Sequence, residues 1–153
     1  MTLEPTKSEH PAPLVSGLIQ HKLYEQGGQV LIHQFRGKPC RITANPDGRS
    51  FTSDKLNHYK VSYEYWVFDV IYRFLLSCPD HRARKGNGHG KADKVGFGNC
   101  TEDTVLGNVA IHYMKKELGE SCYDPIFVFA AILDWAGIAY NQRGYIQLKS
   151  DFI

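Results

Sequence analysis

The sequence has no hydrophobic run long enough to span a membrane and has few cysteines. A transmembrane helix needs roughly 18 to 20 consecutive apolar residues, and the first 13 residues hold charges and prolines where a secretory signal would have an apolar core. Four cysteines in 153 residues are too sparse for a disulfide framework, which is typical of shorter secreted domains. We therefore expect a cytoplasmic protein in a reducing compartment, without a membrane partner.

The sequence also lacks a large net charge and a strong catalytic motif. The formal charge is only +2, so the overall charge does not indicate a nucleic-acid binder. No Gly-Lys-Ser/Thr phosphate loop is present in the sequence, and no enzymatic activity is the simpler expectation. The chain is 42% hydrophobic and 12% aromatic, which is typical of a globular protein with a core of its own.

The hydrophobic pattern predicts an α+β fold, with a flexible tail over residues 1–12 and a single domain over residues 13–153. Within residues 13–60, helical spacing from Leu14 to Leu23 predicts a helix, and three short β-prone runs separated by turns predict a small antiparallel β-meander. Within residues 61–153, the pattern predicts three helices and a C-terminal β-hairpin. The predicted helices begin near Ser62, Thr101 and Asp124 and end at Pro79, Gly119 and Gly137, and the hairpin covers residues 138–148.

A basic, glycine-rich segment lies between the first two of these helices. Residues 80–99 contain seven glycines or asparagines, which predicts a long exposed loop. Residues 81–94 alone carry a charge of +4. Glycine allows the backbone to approach phosphates and cations release counterions from nucleic acid, so the loop is a candidate phosphate-binding segment. A solvated loop that is basic for solubility explains the same pattern. The cations are Arg82, Arg84, Lys85, Lys91 and Lys94.

Two further sets of residues suggest metal chemistry. Cys78, His81, His89 and Cys100 offer soft sulfur and imidazole ligands that suit tetrahedral zinc, although packed cysteines and solvated histidines would give the same pattern. Separately, Asp47, Asp54 and Lys55 have the residue types of a metal-dependent nuclease, in which two carboxylates hold Mg²⁺ and a lysine helps to place water. An ordinary β-turn followed by a cap is the alternative for these residues.

The order helix, basic loop, helix, helix and hairpin is that of a winged helix-turn-helix. The segment Ala131–Ile138, followed by Arg143–Leu148, resembles the end of the winged-helix modules at the N-terminus of Mrr-type restriction proteins. The resemblance implies DNA binding in a bacterial or phage setting, in a function related to restriction. It also implies that the hairpin tip contacts a minor groove or phosphates through Asn141, Gln142 and Arg143.

The sequence departs from the winged-helix pattern in its last helix. Pro125–Ala136 offers Asp134 as its one charged side chain, and an apolar helix cannot read base edges in a major groove. If the protein binds DNA, the contacts therefore come from the basic loop and the hairpin. The alternative hypothesis is a protein-interaction module, with a homodimer formed through the apolar helices. The metal-dependent nuclease is a third hypothesis.

Overall fold

The computed structural model describes residues 14–153, so the predicted tail over residues 1–12 lies outside the described residues. Within the described range the chain forms four α-helices and two antiparallel sheets of four and three strands, which confirms the prediction of mixed α and β structure. None of these helices is long and apolar enough to cross a bilayer. In chain order the elements are α1 (Ser16–Glu25), β1 (Gln29–Ile32), β2 (Cys40–Ala44), β3 (Ser50–Ser53), β4 (Ser62–Glu64), α2 (Val67–Ser77), β5 (Arg82–Arg84), α3 (Val105–His112), α4 (Ile126–Trp135), β6 (Ala139–Gln142) and β7 (Tyr145–Leu148).

The first sheet is a meander in the order β1-β2-β3-β4. It has one strand more than predicted, because residues 62–64 pair with β3 and do not start the following helix. The spacing of Tyr63 and Trp66 fits a helix, but Tyr63 is buried as a strand residue opposite Phe51. Helix α2 begins only at Val67, so the predicted helix start at Ser62 was wrong.

A cluster of aromatic rings joins the first sheet to the helices. The ring of Phe51 on β3 lies 5.4 Å from that of Phe68 on α2 and 6.0 Å from that of Phe129 on α4. The Phe68 and Phe129 rings are 5.5 Å apart. Helix α4 is apolar on nearly every side, and its residues Val128–Leu133 are all buried. It therefore lies in the centre of the molecule, as its sequence predicts.

The second sheet has the order β5-β7-β6 and includes a strand from the segment predicted to be a loop. The buried Ala83 lies opposite Ile146 of β7, while Arg82 and Arg84 on either side are exposed. Further along, Val95 and Cys100 are fully buried. The prediction of a wholly exposed loop was therefore wrong. The two residues after β6 form the turn of the predicted β6–β7 hairpin.

Helix α3 is shorter than its pattern predicts. The cap is Thr104, whose hydroxyl oxygen accepts a hydrogen bond from Gly107 N at 3.0 Å, and it is not Thr101. The helix ends at His112, before the predicted stop at Gly119, and Lys115 has φ of +60°. Helix α4 begins and ends close to its predicted limits. At its start the Asp124 carboxylate accepts from Ile126 N at 3.0 Å, as the sequence predicts for a capping residue.

The start of α1 is held by a side chain from another helix. One carboxylate oxygen of the buried Asp69, on α2, accepts hydrogen bonds from the backbone N–H groups of Leu14, Val15 and Ser16 at 2.8–3.0 Å. Helix α1 has no side-chain cap of its own, and the first N–H groups of a helix lack partners within it. Asp69 therefore supplies the cap and fixes α1 against α2.

We expect the Asp69→Ala variant to lose about 1–3 kcal/mol in the free energy of unfolding, because its buried donors are left without an acceptor. Urea unfolding followed by circular dichroism measures this loss. Asp151→Ala, which removes an exposed carboxylate near the C-terminus, is the matched control. A loss for Asp69→Ala no larger than that of the control would contradict the capping role.

Candidate nucleic-acid interface

The pairing of β5 with β7 brings the predicted basic segment to the tip of the hairpin. Arg84 lies opposite Tyr145 in the ladder, and Lys85 N donates to Gly144 O at 2.8 Å, which extends the pairing to the turn. Gly144 has φ of +80°, which the two-residue turn requires and glycine adopts without strain. Three cations of the basic segment thus lie beside Arg143.

Three clefts surround this turn, and Gly144 lines all of them. The aromatic cleft, of about 330 Å³, lies between Phe35, Phe127 and the turn. The arginine cleft, of about 530 Å³, lies between residues 79–84 and the turn, and a third of about 300 Å³ lies beside residues 84–87. Five cations line one or more of the clefts, and we call them together the hairpin surface: Arg36, Arg82, Arg84, Lys85 and Arg143.

The arginines of β5 are positioned by contacts that leave them accessible. The guanidinium of Arg82 lies over the Tyr145 ring, 4.8 Å from its centroid, a favourable cation–π geometry. Arg84 Nη2 lies 3.6 Å from Asp103 Oδ1, with both side chains more than half exposed. Exposed ion pairs contribute little because water screens them. A phosphate can therefore replace Asp103 as the partner of Arg84 at small cost.

Lys85 is the least exposed of these cations. Its ammonium donates to Asn141 Oδ1 at 2.6 Å and lies 5.1 Å from the centroid of the Phe35 ring. Burial lowers the pKa of Lys85, and the negative charge of Asp124 acts in the opposite direction. Burial likewise raises the pKa of Asp124. The hydrogen bond from Lys85 fixes the orientation of the Asn141 amide.

The remaining residues of the predicted binding set lie apart from these clefts. Lys94 donates to Ser121 Oγ at 3.0 Å, and Lys91 is exposed in the loop after β5. Gln142 is paired with Tyr145 in the hairpin. None of the three lines the clefts at the turn. Arg36, by contrast, belongs to the hairpin surface. The sequence did not predict this, because Arg36 lies in the β1–β2 connection, far from the hairpin in the chain.

A single carboxylate holds the glycine-rich loop in a fixed shape. Asp93 accepts hydrogen bonds from Asn99 N at 2.7 Å and Gly90 N at 2.9 Å, and Asn87 N donates to Asn99 O at 2.9 Å. Gly86 has φ of +75°, and a Cβ there would lie 2.7 Å from both Asn99 O and Thr104 Oγ1. The loop is therefore closed on itself, and the backbone approach at Gly86 requires glycine.

The four proposed zinc ligands do not come together. Cys78 follows α2, His81 Nδ1 lies 3.2 Å from Leu76 O, His89 is exposed and Cys100 is fully buried. Across residues 14–153 no three histidine, cysteine or acidic side chains are grouped as a metal site would require. The cysteines in this range are free thiols.

The three proposed nuclease residues flank β3, and both carboxylates act in turns. Asp47, before the strand, accepts from Arg49 N at 2.8 Å and from Ser50 N at 3.0 Å, and these bonds lower its pKa. Asp54, after the strand, accepts from Arg41 N at 2.9 Å, and Lys55 follows it. The Asp47 carboxylate accepts from Ser50 Oγ at 2.8 Å at the start of the strand, and the Asp54 carboxylate accepts from Ser53 Oγ at 3.1 Å at its end. The backbones of these two serines are three residues apart on an extended strand, roughly 10 Å at about 3.3 Å per residue. In this arrangement the two carboxylates do not face a common metal ion.

Comparison with protein-family models, with curated proteins and with solved structures gives no match to this chain. The resemblance to Mrr-type winged-helix modules stays a prediction from the sequence.

We expect the stability that Asp93 contributes to depend on pH. The hydrogen bonds from Asn99 N and Gly90 N favour the charged carboxylate and hold the pKa of Asp93 below its usual value of 3.8. A lowered pKa in the folded state stabilises the protein above the unfolded-state pKa, and this contribution is lost as pH falls through the folded-state pKa. The free energy of unfolding of Asp93→Asn should therefore be lower than that of wild type at pH 7. The gap between the two free energies should narrow below about pH 4.

Urea unfolding of both proteins at pH 7, 5, 4, 3 and 2 measures this gap. Asp151→Asn is the control for loss of an exposed carboxylate. A gap between wild type and Asp93→Asn that stays constant from pH 7 to pH 2 would show that the Asp93 charge does not stabilise the loop.

Proposed function

We propose that the protein binds DNA through the hairpin surface, with the β6–β7 hairpin acting as the wing of a winged-helix unit. The order helix, helix, helix and hairpin is present from α2 to β7, and this is the order of the winged helix-turn-helix. Strand β5 pairs with β7 and gives the proposed wing a third strand. The proposed wing therefore carries the cations of β5 as well as its own Arg143.

The observation that carries the proposal is the convergence of cations from three separate segments on one turn. Arg36 comes from the β1–β2 connection, Arg82, Arg84 and Lys85 from β5 and the residue after it, and Arg143 from the hairpin tip. These five cations outnumber the acidic side chains beside them, Asp80 in the arginine cleft and Asp103 next to Arg84. The net positive charge around the turn favours an anionic partner with several charges. DNA presents phosphates at regular spacing, and neutralising them releases counterions.

Helix α4 does not have the surface of a recognition helix. Its residues 126 and 128–133 are buried, and its exposed side chains are Phe127 and Asp134. Asp134 accepts from Asn141 N at 2.9 Å, so its carboxylate holds the hairpin. We therefore propose that the protein contacts DNA phosphates and the DNA groove that faces the proposed wing. The sequence preference should be modest, because phosphate contacts carry no sequence information directly.

The test measures the salt dependence of binding to random-sequence duplex DNA by fluorescence anisotropy. In the double variant Arg82→Ala/Arg143→Ala, we expect weaker binding and a log-log salt slope smaller in magnitude by about 1.8, at roughly 0.9 for each phosphate that the protein no longer neutralises. The matched control is Arg49→Ala/Lys60→Ala, which removes the same charge from exposed turns of the first sheet. The control should keep the wild-type slope.

Two outcomes would contradict the proposal. Equal losses of affinity in the two double variants would mean that binding follows net charge and not the hairpin surface. Absence of wild-type binding at low salt would remove DNA as the partner and leave the protein-interaction hypothesis as the next to test. Circular dichroism of each variant establishes that the fold is retained.

A further inference from the structure

We propose that the aromatic cleft holds one unpaired base of the bound DNA, stacked against Phe35 and Phe127. This inference rests on the proposed function and names the feature of the DNA that the site prefers. The cleft is lined by two phenylalanine rings, by the Asn141 amide and by the cations Arg36, Lys85 and Arg143. Exposed rings beside cations are the combination that single-stranded nucleic acid requires, since bases stack and phosphates bind positive charge.

The Phe35 and Phe127 rings are exposed, although residues close to each of them in the chain are buried. Phe127 is 41% exposed on a helix whose other early residues, Ile126 and Val128, are buried, and Phe35 is 46% exposed shortly after the buried Ile32. Single exposed apolar side chains are common on protein surfaces. Here two large rings from remote segments line the same cleft, which gives a base an apolar surface to cover.

The size and charge of the cleft fit a single nucleotide. Its volume of about 330 Å³ is at the lower end of the range of roughly 300–1,000 Å³ for small-molecule sites. Arg143 also lines the arginine cleft on the other side of the turn. A strand that places one base in the aromatic cleft can therefore continue its phosphates along the arginines of β5.

Two amide side chains, those of Gln34 and Asn141, line the cleft. The Gln34 amide nitrogen donates to Lys38 O at 2.6 Å, whereas the Asn141 side chain can offer its donor to the base edge. Its oxygen accepts from Lys85 Nζ at 2.6 Å, so its amide nitrogen is the donor left for a ligand. Every base has acceptor atoms on its edges, and in a paired base those of the pairing edge are already engaged. An amide donor beside a stacking surface therefore favours an unpaired base over a paired one.

The test compares two 20-base-pair duplexes of the same sequence, one fully matched and one with a single bulged 5-iodouracil. We expect the wild-type protein to bind the bulged duplex about tenfold more tightly, within the range that one stacked base contributes. Ultraviolet irradiation should crosslink the iodouracil to Phe35 or Phe127, as identified by mass spectrometry of the digested complex.

Variants then separate the cleft from the rest of the surface. Phe127→Leu and Phe35→Leu should each weaken binding of the bulged duplex more than binding of the matched duplex, and so remove most of the preference for the bulge. Phe97→Leu, which changes a 54% exposed ring in the loop before α3, is the matched control and should keep the preference. Two independent variants guard against loss of folding in either one.

The outcomes distinguish this inference from the proposed function. Equal binding of matched and bulged duplexes by wild type, with both weakened in Arg82→Ala/Arg143→Ala, would overturn the base-binding role and support the DNA-binding surface. Crosslinks confined to other residues would also overturn it. Failure to bind either duplex at low salt would overturn the proposed function itself.

Discussion

The pairing of β5 with β7 is the interaction on which the candidate interface depends. Arg82–Arg84 are remote in sequence from the hairpin, and only the ladder places them beside its turn. The buried Ala83 opposite Ile146 anchors the strand. Because side chains alternate across a strand, burial of Ala83 turns both flanking arginines outward on one face. The same three residues therefore provide the anchor in the sheet and the charges on the surface.

Local signals in the sequence predicted the elements that are stabilised locally. Helix α4 has an Asp-Pro start and an apolar run, and the hairpin has its Arg-Gly turn. Strand β5 escaped prediction because three residues define no period and its partner is far away in the chain. Helix α3 ended early although apolar residues continue at helical spacing to Leu118, which is exposed. A hydrophobic period indicates which residues could share a face, but it does not show where the chain turns away.

The candidate site was predictable in its charges and not in its shape. The concentration of positive charge in one segment predicted Arg82, Arg84 and Lys85, and the resemblance of the hairpin to a wing implied Arg143. Phe35 and Arg36 come from the β1–β2 connection and Phe127 from α4, and they form part of a site only because folding places them at one cleft. Helix α4 contributes to both the core and this cleft, since Phe129 contacts the central aromatic rings and Phe127 lines the cleft. A change that shifts α4 would alter both.

The glycine-rich segment after β5 looks like a place where a chain tolerates added sequence, since exposed loop tips of small residues usually accept insertions. In this protein the hydrogen bonds to the Asp93 carboxylate and the close backbone approach at Gly86 form only when that segment has its native length and conformation. Affinity tags, reporter domains or new chain termini introduced by circular permutation therefore do not belong in this loop, which has to keep its native length.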